Sequence, residues 1–198
     1  MLNYDADLEL FRDNFRRFMN EHIAPHYEQW EREGLMPRSV WNALGENGFL
    51  CVDVPEEYGG YGVPTHYSLM LVEESARAGF SALSTGISCH SEIAAPYILH
   101  IGTEAQKQYW LPKMVAGEVV GAIGMTEPGA GSDLQAMRTN AILNGDHYVL
   151  NGSKTFISNG QHADLVVLAA KTDPQARAKG VSLLLVDTHL EGFKKGTN

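Results

Sequence analysis

The sequence has few of the residues that mark disulfide-stabilised, metal-binding or nucleic-acid-binding proteins. Its 198 residues include two cysteines, Cys51 and Cys89, far apart in the chain, which argues against a disulfide framework or a cysteine metal site. The eight histidines share no ligand spacing, so no metal is expected. The longest basic run is Lys194 and Lys195 in a chain of net charge −9, which argues against nucleic acid as a partner.

Long apolar runs and an amino-terminal targeting pattern are also missing. No uninterrupted apolar stretch is long enough to span a bilayer, so no membrane span is expected. The opening MLNYDADLELFRDNF is acidic and has neither the apolar core of a secretory signal nor the Arg-rich composition of a transit peptide. We therefore expect a cytoplasmic protein, or one of the mitochondrial matrix only if a transit peptide has been removed.

The first part of the chain has helical periodicity. Leu8, Phe11, Phe15 and Phe18 recur at the spacing of one helix face. Further helices are predicted after Pro25, from Pro37, from Thr65, over 81–101, and from Thr103 to about Val115, the last with a capping box formed by Thr103 and Gln106. Residues 1–118 are therefore expected to form an all-helical domain.

Beyond residue 118 the period changes from helical to alternating. Asn144-Gly145 and Asn151-Gly152 are hairpin turn signals, and strands are predicted at 119–126, 147–150, 153–157, 165–171 and 181–186. The expected fold class is α+β, with the helical domain followed by an incomplete antiparallel β-barrel or sandwich over 119–198. About six strands without a closing one would leave an open edge, which suggests truncation.

A glycine-rich segment at 121–134, GAIGMTEPGAGSDL, is a candidate ligand-binding loop. Gly129 and Gly131 allow the backbone to approach a ligand, and exposed N–H groups can hold an anion. The alternative is an ordinary strand-to-loop turn. A dinucleotide fingerprint is not present because Leu134 occupies the third glycine position, and NGSKT at 151–155 lacks the spacing of a P-loop.

A second candidate segment, KTFISNG, covers residues 154–160. On the predicted strand, Phe156 and Ser158 would point to the same face. An aromatic ring beside a hydroxyl suits a flat heteroaromatic ligand, and a buried core phenylalanine is the alternative.

Taken together, these segments resemble the acyl-CoA dehydrogenase family, and most of all its long-chain branch. The resemblance covers essentially the whole chain and rests on PEEYGG at 55–60, GTEAQKQ at 102–108, MTEPGAGSD at 125–133, and 151–160. It implies a helical N-terminal domain, a middle β domain and a C-terminal helical domain that is absent from this chain. It also implies FAD as cofactor, a homotetramer, and electron-transfer flavoprotein as the electron acceptor of the full-length enzyme.

The resemblance assigns cofactor and substrate contacts to particular residues. Phe156 would stack on the isoalloxazine ring, with the Thr126 and Ser158 hydroxyls near N5. Ser132 would contact both the pyrophosphate and the acyl-CoA. The full set of implied cofactor-binding residues is Ile123, Gly124, Met125, Thr126, Ser132, Phe156, Ile157 and Ser158, and the implied substrate-binding residues are Ser132, Ala178 and Lys179.

The implied reaction is α,β-dehydrogenation of a fatty acyl-CoA thioester in fatty acid β-oxidation. In the family a glutamate in the C-terminal helices removes the α-proton while the flavin accepts a hydride. We therefore expect no catalytic residue within this chain, with neither Glu92 nor Glu127 as a substitute, and an inactive fragment. Two alternatives stay open: an oxygen-using relative, such as an acyl-CoA oxidase or flavin monooxygenase, and a non-catalytic truncated product.

Overall fold

The computed structural model describes residues 6–197, which separate into two units, 6–120 and Gly121–Gly196. The first unit is helical. Its seven α-helices among the described residues are α1 Ala6–Phe18, α2 Tyr27–Glu33, α3 Arg38–Glu46, α4 His66–Arg77, α5 Ser81–Ile87, α6 Ala95–Ile101 and α7 Glu104–Val115. Short π-helical segments, Met19–Ile23 and Ser88–Ala94, extend α1 and join α5 to α6.

The helical core forms from the apolar faces that the sequence indicates. Leu8, Phe15 and Phe18 of α1 are buried, which confirms the predicted stripe. The rings of Phe15 and Phe18 both pack against Phe49, with centroids 4.9 and 5.3 Å apart. Trp41 of α3 is buried in the same cluster. Aromatic contacts of this kind stabilise the core beyond their buried area.

Helix ends in this unit follow their local signals. Gly34 takes a left-handed conformation with φ of 75° and ends α2, as glycine does at many helix termini. Thr103 and Gln106 form the predicted capping box: the Gln106 N–H donates to Thr103 Oγ1, and the Thr103 N–H donates to Gln106 Oε1. The predicted helix over 81–101 is continuous, with its middle turns in the π form.

The second unit is built on a five-stranded sheet. Its strands are β1 Gly121–Gly124, β2 Asn140–Asn144, β3 His147–Asn151, β4 Leu165–Lys171 and β5 Val181–Asp187. β4 pairs with β1 in parallel and with β5 antiparallel, and β2 and β3 form an antiparallel hairpin joined to β4 by one parallel pair. Residues 165–170 of β4 are all buried, which fits a continuous apolar run covered on both faces.

This arrangement confirms a helical part followed by an unclosed sheet, with two differences in detail. The sheet is mixed, because β1 reaches β4 through a long connection that contains the β2–β3 hairpin. Local turn signals report only sequential hairpins, so they could not reveal this parallel pair. The predicted strand at 153–157 is wrong: the chain there is irregular, and Phe156 has a φ of 55° that a strand cannot accommodate.

Within residues 6–197, no helix has both the length and the apolar character needed to cross a membrane. The same residues contain no group of three or more His, Cys, Asp or Glu side chains arranged to hold a metal ion.

Candidate functional site

The loop that follows β1 is narrow and open along its main chain. Glu127 and Ala130 close a tight turn, with the Glu127 N–H donating to the Ala130 carbonyl at 2.9 Å and the reverse bond at 3.1 Å. At Gly129 and Gly131, no atom lies within 4 Å of the position that a Cβ would occupy. A ligand can therefore approach this main chain without a side chain in its way.

The segment at 152–160 lies directly beside this loop. The Thr155 N–H donates to the Thr126 carbonyl at 3.0 Å, and Lys154 Nζ donates to the Met125 carbonyl at the same distance. Two stretches that are almost thirty residues apart in sequence are thus joined at consecutive residues. The structure brings the two candidate segments together.

Phe156 presents its ring to the outside of this pair of segments. The residue is 93% exposed and sits in the left-handed region with φ of 55°. Both properties are unfavourable, because an exposed ring gains no burial and a left-handed non-glycine residue costs about 1–2 kcal/mol. Strain of this kind concentrates where a ligand is clamped.

The turn after Phe156 is fixed to the start of β1. Asn159 has a φ of 62°, and its Nδ2 donates to the Gly121 carbonyl at 3.2 Å. Ser158, between these two left-handed residues, is exposed. The hydroxyl of Ser158 therefore lies on a turn rather than on the predicted strand.

The other predicted cofactor residues have different environments. Thr126 is half-buried and Ser132 is exposed. Ile123 and Gly124 lie in β1 and pair with Val167 and Leu168, respectively.

Two predicted cofactor residues direct their side chains into the sheet cores instead. Met125 packs against Ala130, Met137 and Ala169, and Ile157 packs against the cluster around Ala122 and Val166. For both residues, a ligand would therefore be contacted by the main chain.

The predicted substrate residues lie on a separate turn of the same unit. Ala178 and Lys179 are exposed and belong to the 3₁₀ turn Arg177–Gly180. This turn contacts the 3₁₀ turn Leu134–Ala136, which follows Ser132 closely in the chain. The three predicted substrate residues thus lie on segments that approach one another.

A buried ion pair beneath the loop was missed by sequence reasoning. Lys154 Nζ lies 2.9 Å from Glu127 Oε1, and both side chains are less than a tenth exposed. Burial alone would raise the pKa of Glu127, but hydrogen bonding with Thr139, the Arg138 N–H and Lys154 lowers that pKa to about 2. No local pattern could have shown this pair, because its members come from different segments.

The exposed ring, the neighbouring hydroxyls and the uncovered glycine main chain suit one class of ligand. A flat heteroaromatic group can stack on Phe156, and an attached phosphate can accept bonds from loop N–H groups. The residues present therefore fit FAD, and the open face at Gly129 and Gly131 is the observation that supports this fit.

Comparison with known families agrees with this geometry. The family model described as acyl-CoA dehydrogenase, N-terminal domain, matches residues 5–118, and that described as acyl-CoA dehydrogenase, middle domain, matches residues 122–198. The first match alone covers more than half of the chain. The chain belongs to the acyl-CoA dehydrogenase family, whose members are flavoprotein oxidoreductases.

Individual relatives are much longer than this chain. The pig mitochondrial long-chain specific acyl-CoA dehydrogenase is 42% identical over 195 residues, covering 98% of this chain and 45% of the relative. The chain thus spans about half the length of the curated relatives it matches.

Solved structures support the same fold. The crystal structure of acyl-CoA dehydrogenase from Geobacillus kaustophilus has a TM-score of 0.92 at 50% identity, covering 96% of this chain and 50% of that one. An acyl-CoA dehydrogenase from Bacillus anthracis complexed with FAD has a TM-score of 0.84 at 32% identity, covering 96% of this chain and 33% of that one.

Proposed function

We propose that this chain provides the middle-domain part of the flavin site of an FAD-dependent acyl-CoA dehydrogenase. The observation that carries the proposal is the contact between the loop after β1 and the segment with Phe156, which leaves the Phe156 ring and the glycine main chain open on the outside. The FAD complex of the Bacillus anthracis relative supports the choice of cofactor. The assignment of 1–118 and 119–198 to N-terminal and middle domains stays a prediction.

Each residue of the proposed site has a distinct task. Phe156 stacks on the ring system, and the hydroxyls of Thr126 and Ser158 donate hydrogen bonds to its polar edge. Main-chain groups at 123–126 and 157 line the ring, while Ser132 and the loop N–H groups hold the pyrophosphate. FAD, when bound, supplies the capacity to accept a hydride. The residues of this chain contribute orientation and hydrogen bonds.

The proposed substrate is a fatty acyl-CoA thioester, and the proposed role is in fatty acid β-oxidation. The 42% identity to the pig long-chain specific enzyme supports a long acyl chain. Ser132, Ala178 and Lys179 are the proposed contacts to the CoA portion, since an exposed lysine can pair with a phosphate.

We propose that these 198 residues do not turn over a substrate by themselves. The two acidic residues considered as substitutes for a base are both engaged: Glu127 pairs with Lys154, and Glu92 accepts a hydrogen bond from the Ser68 hydroxyl. Three further properties are proposed. Electron-transfer flavoprotein accepts the electrons, the enzyme is a homotetramer, and its location is the cytoplasm or the mitochondrial matrix.

The direct test is flavin binding and reduction by the protein expressed from its own gene. We expect bound FAD, bleaching of its absorbance by long-chain acyl-CoA, and electron transfer to electron-transfer flavoprotein or a dye. Thr126→Val is expected to weaken FAD binding or slow its reduction, because the hydroxyl donor is lost while the shape is kept. Thr85→Val is the matched control, since Thr85 is exposed on α5 in the helical unit and is not among the proposed cofactor or substrate contacts.

The results separate the proposal from its competitors. A folded protein that takes up no FAD would exclude the flavin site. Bound FAD that acyl-CoA fails to reduce would exclude the dehydrogenase reaction, and oxygen consumption in place of dye reduction would indicate an oxygen-using relative.

A further inference from the structure

We propose that Lys154, paired with Glu127, is a positioning residue that fixes the main chain of Met125 and Thr126 in the orientation required by the flavin. This inference rests on the proposed function. It assigns a task to two buried residues that are not among the proposed contacts to FAD. Neither side chain needs to touch the cofactor.

Lys154 forms hydrogen bonds to both the loop main chain and Glu127. Its ammonium donates to the Met125 carbonyl at 3.0 Å and to Glu127 Oε1 at 2.9 Å. The next residue, Thr155, donates its N–H to the Thr126 carbonyl at 3.0 Å. Two consecutive carbonyls after β1 are therefore held toward the 154–155 segment.

The planarity of the peptide bond links the Met125 carbonyl to the Thr126 N–H. The Met125 carbonyl and the Thr126 N–H belong to one trans peptide unit, and they point in opposite directions. Holding the carbonyl toward Lys154 therefore directs the Thr126 N–H away from it. Lys154 thus sets the direction of a main-chain donor in the segment proposed to line the ring.

Glu127 keeps the ammonium in place. Its carboxylate also accepts the N–H groups of Arg138 at 2.6 Å and Thr139 at 3.0 Å, so it links the loop to the segment that leads into β2. With its pKa lowered to about 2, Glu127 stays ionised at neutral pH. The pair is neutral as a whole: Lys154 donates to Glu127 and to one carbonyl, and Glu127 also accepts two main-chain N–H groups.

Stability alone is a weak reason for such a pair. Replacing a buried ion pair by uncharged side chains of similar volume is often neutral or stabilising, whereas removing one partner leaves a buried charge. The test therefore uses the double variant Glu127→Gln/Lys154→Met, which keeps the site neutral and removes the donor to Met125. The matched control is Glu73→Gln/Arg77→Met, an exposed pair on α4 in the helical unit.

The measurements are made on the protein expressed from its own gene, with FAD as the probe. We expect the double variant to fold with a lower urea midpoint, because the single amide oxygen of the glutamine cannot accept the N–H groups of both Arg138 and Thr139. Its Kd for FAD should rise about tenfold, the loss of about 1.4 kcal/mol that one charge-assisted hydrogen bond can account for. The control variant should bind FAD like the wild type. The visible spectrum of the bound flavin should also change in the double variant.

A second variant covers the case in which the double variant does not fold. Lys154→Met alone removes the donor to the Met125 carbonyl, while Glu127 still accepts the N–H groups of Arg138 and Thr139. Its Kd for FAD should therefore rise about as much as in the double variant.

Two results would overturn the inference: a double variant with wild-type FAD affinity and spectrum, or Lys154→Met with wild-type FAD affinity and spectrum. Absence of FAD from the wild-type protein would instead contradict the proposed function.

Discussion

At the scale of single residues, Phe156 combines an exposed aromatic ring with a left-handed backbone. Its ring is 93% exposed and its φ is 55°, so neither burial nor backbone preference explains a phenylalanine there. A residue whose conformation costs free energy in the ligand-free protein, and whose ring is available for stacking, is expected at a binding position.

This conflict leads to a prediction for Phe156→Gly. Relief of about 1–2 kcal/mol of left-handed strain outweighs the loss of about 0.5–1 kcal/mol from the greater freedom of glycine in the unfolded chain. We expect the ligand-free protein to unfold at the same or a higher urea concentration, and FAD affinity to fall.

Phe15→Ala is the contrasting variant for Phe156→Gly, because Phe15 is fully buried and its truncation should cost about 3–5 kcal/mol. A Phe156→Gly protein that is strongly destabilised, or that binds FAD as well as the wild type, would contradict this account of the residue.

Glu92 is a second residue whose environment changes its chemistry. Burial, with a further contribution from the charge of Asp53, raises the pKa of Glu92 to about 7. Burial also raises the pKa of Asp53, an effect that the nearby His100 partly offsets. The buried Cys51, whose thiol pKa burial raises to about 12, lies near the same two carboxyl groups.

The raised pKa predicts that Glu92 lowers stability as pH rises. Between about pH 4.5 and 7 the unfolded chain releases the proton while the folded chain keeps it, so the free energy of unfolding falls through this window. Glu92→Gln should remove this fall and be more stable than the wild type at pH 8, by on the order of 1 kcal/mol after solvent screening.

Urea unfolding of both proteins at pH 4.5 and pH 8 measures the difference, since these values bracket the window between the ordinary and the raised pKa of Glu92. The amide oxygen introduced by Glu92→Gln can still accept from the Ser68 hydroxyl, so the hydrogen bond at this position is retained. A Glu92→Gln protein with the same pH dependence as the wild type would show that Glu92 does not titrate in this range.

At the scale of elements, α7 shows how a local signal defines a boundary. Thr103→Ala removes the side chain that accepts the Gln106 N–H, and we expect it to cost about 1 kcal/mol of unfolding free energy. Lys107→Ala on the same helix lies outside the capping box and should change stability by less than about 0.5 kcal/mol. Equal effects of the two substitutions in urea unfolding would rule out a special role for the cap.

The predicted strands differed in how well they agree with the structure. β4 was predicted at its observed bounds because its Val and Leu residues are typical of a strand, and the structure adds that this strand is covered on both faces. Residues 153–157 were predicted from their alternation but form no strand, since Lys154 turns inward to Glu127 and Phe156 takes a left-handed φ. Alternation reports side-chain polarity and carries no information on the backbone angle of a single residue.

At the scale of the whole molecule, the proposed flavin surface and the engaged acidic residues lead to a test of turnover by this chain. The described residues provide a proposed flavin surface, and both acidic candidates for a base are engaged elsewhere. We expect no acyl-CoA-dependent dye reduction by residues 1–198 with added FAD, with the acyl-CoA dehydrogenase from Geobacillus kaustophilus as the positive control. Turnover by residues 1–198 alone, above the rate of free FAD, would disprove this expectation.

The sequence by itself determined the order of helices, the capping box, the apolar strands and the two motifs that place the chain in its family, because these follow from local spacing and residue type. Only the tertiary structure decided which strands are parallel, that the two motifs meet at Met125 and Thr126, and that Glu127 pairs with Lys154. These features join residues distant in the chain, and their energies depend on burial and on distances that exist only after folding.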